Sequence, residues 1–225
     1  MILVSVWTNT PYRAGTPVCS IILRRFSRAC TLIREQKVPC PSFLCFDSGD
    51  NRACLVGMEL FIFQLLCKLL KSNATLLSIA IHQRAKFEGW LKFELAKELK
   101  KSYTDTRVEE QVDVSLIDLH SNTSLIELKT PNTSYVTEGC IKKTCAITDN
   151  IDSIIADIDK LNKIRINSGQ YSHGYIAFVL FPIDTRKYQL HVNRVVTYLG
   201  PGAHICQGPI SINRFRTYVF VARVF

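Results

Sequence analysis

Three side chains in this sequence could do chemistry together: Asp113, Glu127 and Lys129. They sit in VDVSLIDLHSNTSLIELKT, residues 112–130, where polar and apolar residues alternate on either side of a turn-prone cluster, His120-Ser121-Asn122-Thr123-Ser124. Period-two alternation flanking such a cluster predicts a β-hairpin of half-buried strands. With the turn centred near Ser121 and Asn122, Asp113 is expected opposite Lys129, and Ser115 opposite Glu127. Opposed residues share a face. Val112, Val114, Leu116, Ile126 and Leu128 then form the core face, while Asp113, Glu127 and Lys129 share the other. Two carboxylates suit a hard divalent cation, which takes oxygen ligands and leaves positions for water and phosphate. A nearby lysine can orient an attacking water or neutralise a phosphorane. Asp118 competes with Asp113 as the first acid, but it falls on the apolar parity beside the turn and is assigned to the turn.

Asp113, thirteen intervening residues and then Glu127-Leu128-Lys129 resemble the core motif of the PD-(D/E)xK nuclease superfamily. Val112 stands where that motif has proline. The resemblance spans residues 86–183. It implies an α/β restriction-endonuclease-like sandwich, a central mixed β-sheet flanked by helices. It implies a Mg²⁺- or Mn²⁺-dependent endonuclease acting on nucleic acid, DNA before RNA. Asp113, Glu127 and the Leu128 carbonyl would be metal ligands, Lys129 would act on water or the phosphorane, and a preceding helix would supply another acid. A homodimer is an arrangement that cutting both strands often uses. The alternative is a non-catalytic nucleic-acid-binding or interaction module of the same fold.

The elements that must position these groups can be read around the hairpin. Residues 83–102, QRAKFEGWLKFELAKELKKS, are expected to form a helix with a stripe of Phe87, Trp90, Leu91, Leu95 and Leu99. Glu88 and Glu94 flank that stripe, about 60° to either side at roughly 100° per residue. Glu94 is the preferred helix acid, with Glu88 next. Residues 149–167 predict an amphipathic helix with Ile151, Ile154, Ile155, Ile158 and Leu161 inward. Lys160 and Lys163 could touch a phosphate backbone, but a solvated helix face is the preferred reading of both. Residues 174–181, GYIAFVLF, form an apolar run expected of a strand buried on both sides. Residues 188–198 and 217–225 read as further strands, and 199–209 as two glycine–proline turns.

Composition sets the outer limits. The chain has 225 residues, 47% of them hydrophobic, enough for one sizeable core. A formal charge of +9 favours an anionic partner. Five of the nine cysteines and four of the eight prolines lie in residues 1–57, which lack periodicity. That segment is expected to be a poorly ordered leader before a domain spanning 58–225. No CxxC pair supports a zinc site, and irregular cysteine spacing suggests reduced thiols in an intracellular protein. Residues 58–81 are apolar but interrupted by Lys68 and Lys71, which favours a core helix ending near Asn73 over a membrane span.

Overall fold

The computed structural model describes residues 51–141, 146–168, 171–184 and 187–225. Most of the expected leader therefore lies outside the described residues. In chain order the elements are α1 (Asn51–Ser72), α2 (Ala74–Gln83), α3 (Glu88–Leu99), β1 (Asp105–Val108), β2 (Val114–Ile117) and β3 (Thr123–Lys129). They continue with α4 (Ile147–Ser168), β4 (Tyr171–Leu180), α5 (Tyr188–Leu199), β5 (Ile205–Ile212) and β6 (Phe215–Arg223). The six strands form one mixed sheet in the order β1-β2-β3-β4-β6-β5. β3 and β4 run parallel; the other pairings are antiparallel. The chain is thus α/β, with helices on both faces of a six-stranded sheet.

Two apolar layers hold the sheet. On one face Val114, Leu116, Ile126, Leu128, Tyr175, Ala177 and Val179 pack against α1, α2 and α3 through residues such as Leu66, Leu70, Leu91 and Leu95. On the other face Ile176, Phe178, Leu180 and Phe220 pack against Ile151, Ile154 and Ile158 of α4 and Val192 and Val195 of α5. β4 lies inside this sandwich, so its continuous apolar run is buried on both sides, as a central strand requires.

The helical segment 58–81 is two helices, bent by 87°. Asn73 makes the corner, its backbone and side-chain amides both donating to the Leu69 carbonyl. Among the described residues no single helix is long and apolar enough to cross a membrane. The helix expected over 83–102 starts later, at Glu88. Arg84 closes α2 in the left-handed region, at φ 52°, so the chain turns before α3 begins. Arg84 is also fully buried, and its guanidinium donates to the carbonyls of Ile141, Thr133 and Tyr135.

Two expectations in the C-terminal third are corrected. Residues 188–198 are not a strand but α5: Tyr188, Val192 and Val195 are buried at spacings of four and three, a helical period masked by β-branched content. Leu190, on the opposite side, is 71% exposed. Gly200 and Pro201 do end that helix, but Gly208 and Pro209 are not a turn. They lie within β5, with Pro209 opposite Tyr218. β5 is an edge strand, where a missing N–H is tolerated.

Candidate functional site

The hairpin forms as expected, in a register two residues from the one anticipated. Val114 faces Ile126 and Ser115 faces Leu125. Continued one residue outward, this register sets Asp113 across from Glu127, and Ser115 no longer opposes it. A shift of two preserves the faces of the paired residues, so Glu127 and Lys129 keep the side expected of them, while Asp113, just outside β2, lies close enough to Glu127 for its charge to act there. The turn lies two residues earlier than the polar cluster, at 118–122, because Asp118 organises it: its carboxylate accepts the amides of His120 and Asn122 and the Asn122 side chain. Val112 is buried but leaves the expected core face. It packs with Leu125, Leu161 and Phe225 on the opposite side, since the chain departs from strand geometry just before β2.

Asp113 therefore stands at the mouth of β2. Its Oδ2 accepts the Leu128 amide at 2.7 Å, in place of the backbone acceptor that a longer β2 would have supplied. Its Oδ1 lies 2.9 Å from Nζ of Lys92, which also reaches Glu109 at 3.1 Å. Glu127 is only 2% exposed and pairs with Lys160 from α4. Burial pushes the Glu127 carboxyl up to about 7; Lys160 pulls it down, and the Asp113 charge beside it adds to the rise. Lys129, at the end of β3, lies 3.4 Å from Asp157 and 3.8 Å from Glu88. The Asp157 contact is an ion pair without hydrogen-bond geometry, which leaves its buried Oδ2 without a hydrogen-bond partner. Burial raises the Asp157 carboxyl, with Lys129 opposing. Burial would lower the Lys129 ammonium, but Asp157, Glu88, Asp113 and Glu127 together hold its pKa above the ordinary value.

Of the two candidate helix glutamates, Glu88 is the one that reaches the hairpin. Its Oε2 accepts the Thr130 amide at 3.1 Å, directly after Lys129. Glu94, the preferred candidate, points away and pairs with Lys97 at 3.2 Å. The reason is a rotated stripe. The residues that α3 buries are Leu91, Lys92, Leu95, Ala96 and Leu99, whereas Phe87 is the N-cap residue and Trp90 only half-buried. This turns the buried axis by about 70°, bringing Glu88 within about 20° of it and leaving Glu94 about 130° away.

Four more residues complete the cluster that the sequence reading did not place there: Lys92, Glu109, Asp157 and Lys160. Asp157 borders the face that α4 buries, Ile147, Ile151, Ile154, Ile158 and Leu161, at about 80° from its centre. Lys160 carried no usable signal. Its Cα lies well outside the stripe and the residue is exposed, as a solvated face requires, while the amino group reaches back along a four-carbon stem to Glu127.

The donor set can be tested against a magnesium-like cation. Among the described residues no group of three or more His, Cys, Asp or Glu side chains converges on one point. Magnesium does not need one, since it binds through one or two carboxylates and keeps water or phosphate elsewhere. Asp113 and Glu127 provide those two hard oxygen donors. On an extended strand a residue's N–H and C=O point to the same edge. The Leu128 amide points to Asp113, so its carbonyl faces that edge as well. The lysines on both carboxylates already mark where positive charge is stable. The residues fit a hard cation.

Comparison of the chain with known protein families, with characterised proteins and with solved structures returns no match.

Proposed function

We propose that the chain is a metal-dependent nuclease with a restriction-endonuclease-like fold, hydrolysing phosphodiester bonds in DNA. The observation that carries this reading is the convergence, at one end of β3, of Asp113, Glu127, Lys129 and the helix acid Glu88. Asp113 and Glu127 would hold Mg²⁺ or Mn²⁺, with the Leu128 carbonyl as a third donor. Such an ion supplies a water of lowered pKa and charge stabilisation at the phosphate. Lys129 is held as an ammonium by its acidic neighbours, so its role is to donate to water or to the phosphorane oxygens rather than to abstract a proton. Glu88 fixes the Lys129–Thr130 backbone and shares the charge of Lys129. The formal charge of +9 suits a polyanionic substrate.

One observation favours a second reading, a nucleic-acid-binding module of the same fold without catalysis. Lys92 and Lys160 neutralise Asp113 and Glu127 within the chain itself.

The discriminating experiment incubates the full chain with labelled DNA and RNA, with and without Mg²⁺ or Mn²⁺. The nuclease reading expects cleavage that needs metal and disappears in Glu127→Ala and Lys129→Ala. Binding without cleavage of any substrate would establish the second reading instead.

A further inference from the structure

The three lysines of the site are held differently. Lys92 is nearly buried and lies between Asp113 and Glu109. Lys129 lies between Glu88 and Asp157. Lys160 makes its ion pair with Glu127 alone among the described residues, and its side chain is 46% exposed while Glu127 is almost completely enclosed. Its ammonium enters from the solvent side on a flexible stem rooted on α4. Of the three, it is the cation that can leave its carboxylate without unmaking the core.

We propose that Lys160 is a substrate-binding residue that leaves Glu127 when a divalent cation binds there and then engages a phosphate of the nucleic acid. This inference rests on the nuclease reading of the site. Two cations cannot share one enclosed carboxylate without repulsion. The phosphodiester arrives at the same place and offers the displaced ammonium a new anion within reach. The exchange conserves charge: Lys160 gives up a carboxylate and gains a phosphate oxygen. Lys92, when Asp113 takes up the ion, keeps Glu109 as its partner, and Lys129 keeps Glu88 and Asp157, so neither is left in need of a phosphate. Lys160 thus contributes to nucleic-acid binding only in the metal-loaded state, which separates it from an ordinary surface lysine such as Lys163 on the same helix.

The test uses the full chain and a short labelled DNA duplex, with binding followed by fluorescence anisotropy in Ca²⁺ or in EDTA. Ca²⁺ serves as the hard, oxygen-seeking probe. In Ca²⁺, Lys160→Met is expected to bind on the order of tenfold more weakly than wild type, with a salt slope shallower by about one. In EDTA the two should agree within about twofold, because Lys160 is then engaged with Glu127. Lys160→Arg, which keeps the charge, should retain most of the Ca²⁺-dependent binding. An equal loss in Ca²⁺ and EDTA, no loss in either, or a Lys160→Arg protein as weak as Lys160→Met would overturn the assignment. Calorimetric uptake of Ca²⁺ by wild type separates the two levels of failure. Uptake with unchanged Lys160→Met binding rejects only the role of Lys160. Neither uptake nor Ca²⁺-dependent DNA binding in wild type rejects the nuclease reading beneath it.

Discussion

The carboxylate of Asp113 accepts the Leu128 amide at 2.7 Å, so a side chain continues the hairpin ladder where β2 has stopped. One group thereby sets the spacing between the first acid and the Glu127-Leu128-Lys129 segment. Asp113→Asn keeps an acceptor for the Leu128 amide but loses the charge. It should fold, and lose metal-dependent cleavage by at least about 100-fold. Asp113→Ala also removes the acceptor and leaves Lys92 with Glu109 alone. It is expected to cost about 3 kcal/mol in urea unfolding. Equal activity in Asp113→Asn and wild type would remove Asp113 from the site.

Glu88 and Glu94 should separate cleanly in kinetics. Glu88→Gln weakens the hold on Lys129, and its cleavage rate should fall on the order of tenfold. Glu94→Gln breaks only a surface pair with Lys97, worth about 0.3–0.5 kcal/mol, and should leave the rate unchanged. Rates measured side by side decide the matter, and a larger loss in Glu94→Gln would restore the original preference.

The carboxylate environment of Lys129 predicts a pH profile. Its pKa lies above the ordinary lysine value, so its charge persists across the neutral and mildly alkaline range. Cleavage should show no alkaline loss from Lys129 below about pH 9, while Lys129→Ala should fall by about 100- to 1,000-fold throughout. An alkaline limb near neutrality that disappears in Lys129→Arg would show instead that the lysine titrates during catalysis.

Away from the site, Glu59 on α1 is 1% exposed and neither carboxylate oxygen makes a well-formed hydrogen bond. Burial pushes its pKa up to about 7, against weaker opposition from its own backbone amide and Arg223. A raised carboxyl binds its proton more tightly in the folded state. Its contribution is therefore favourable at low pH, and it is lost as pH rises from about 4.5 through about 7. The change is on the order of 3 kcal/mol. Glu59→Gln should remove that slope. Urea unfolding of both proteins at pH 5 and pH 8 gives the comparison, and an identical pH dependence would contradict it.

Arg84 should be a stability residue rather than a catalytic one. Its guanidinium satisfies the Thr133, Tyr135 and Ile141 carbonyls, while its own carbonyl accepts from the Asn132 side chain. It thus ties the chain before Glu88 to the chain after Thr130. Arg84→Met is expected to lose about 3–5 kcal/mol by stranding those acceptors. A thermal melt within a degree or two of wild type would refute this.

The parts of the molecule legible in its sequence are those with local periodicity. The hairpin and α4 follow from spacing-two and spacing-three-and-four patterns, and β4 and β6 from near-continuous apolar runs. α5 was hidden because Val192, Val195 and Val196 carry strand-like chemistry on a helical spacing. β5 was hidden because an edge strand tolerates Gly208 and Pro209, residues that otherwise signal turns. Within the site, parity placed Asp113, Glu127 and Lys129 on one side and assigned Asp118 to the turn. Lys92 and Lys160 were not legible because a lysine head can lie far from the direction of its Cα. Glu88 over Glu94 turned on which residues α3 buries, a question of packing between helices that a single helical wheel does not answer.

The parallel pairing of β3 with β4 also has a bearing on how the chain acquires its charges. The β2–β3 hairpin can close early from contacts near in sequence, which brings Asp113 and Glu127 face to face. Their lysine partners arrive from α3 and, across a long connection, from α4. Until both helices dock, the hairpin carries two mutually repelling acids with only Lys129 to balance them. Formation of the site is therefore a late event tied to non-local assembly, and a nascent chain ending before α4 would have the motif without a stable place for it.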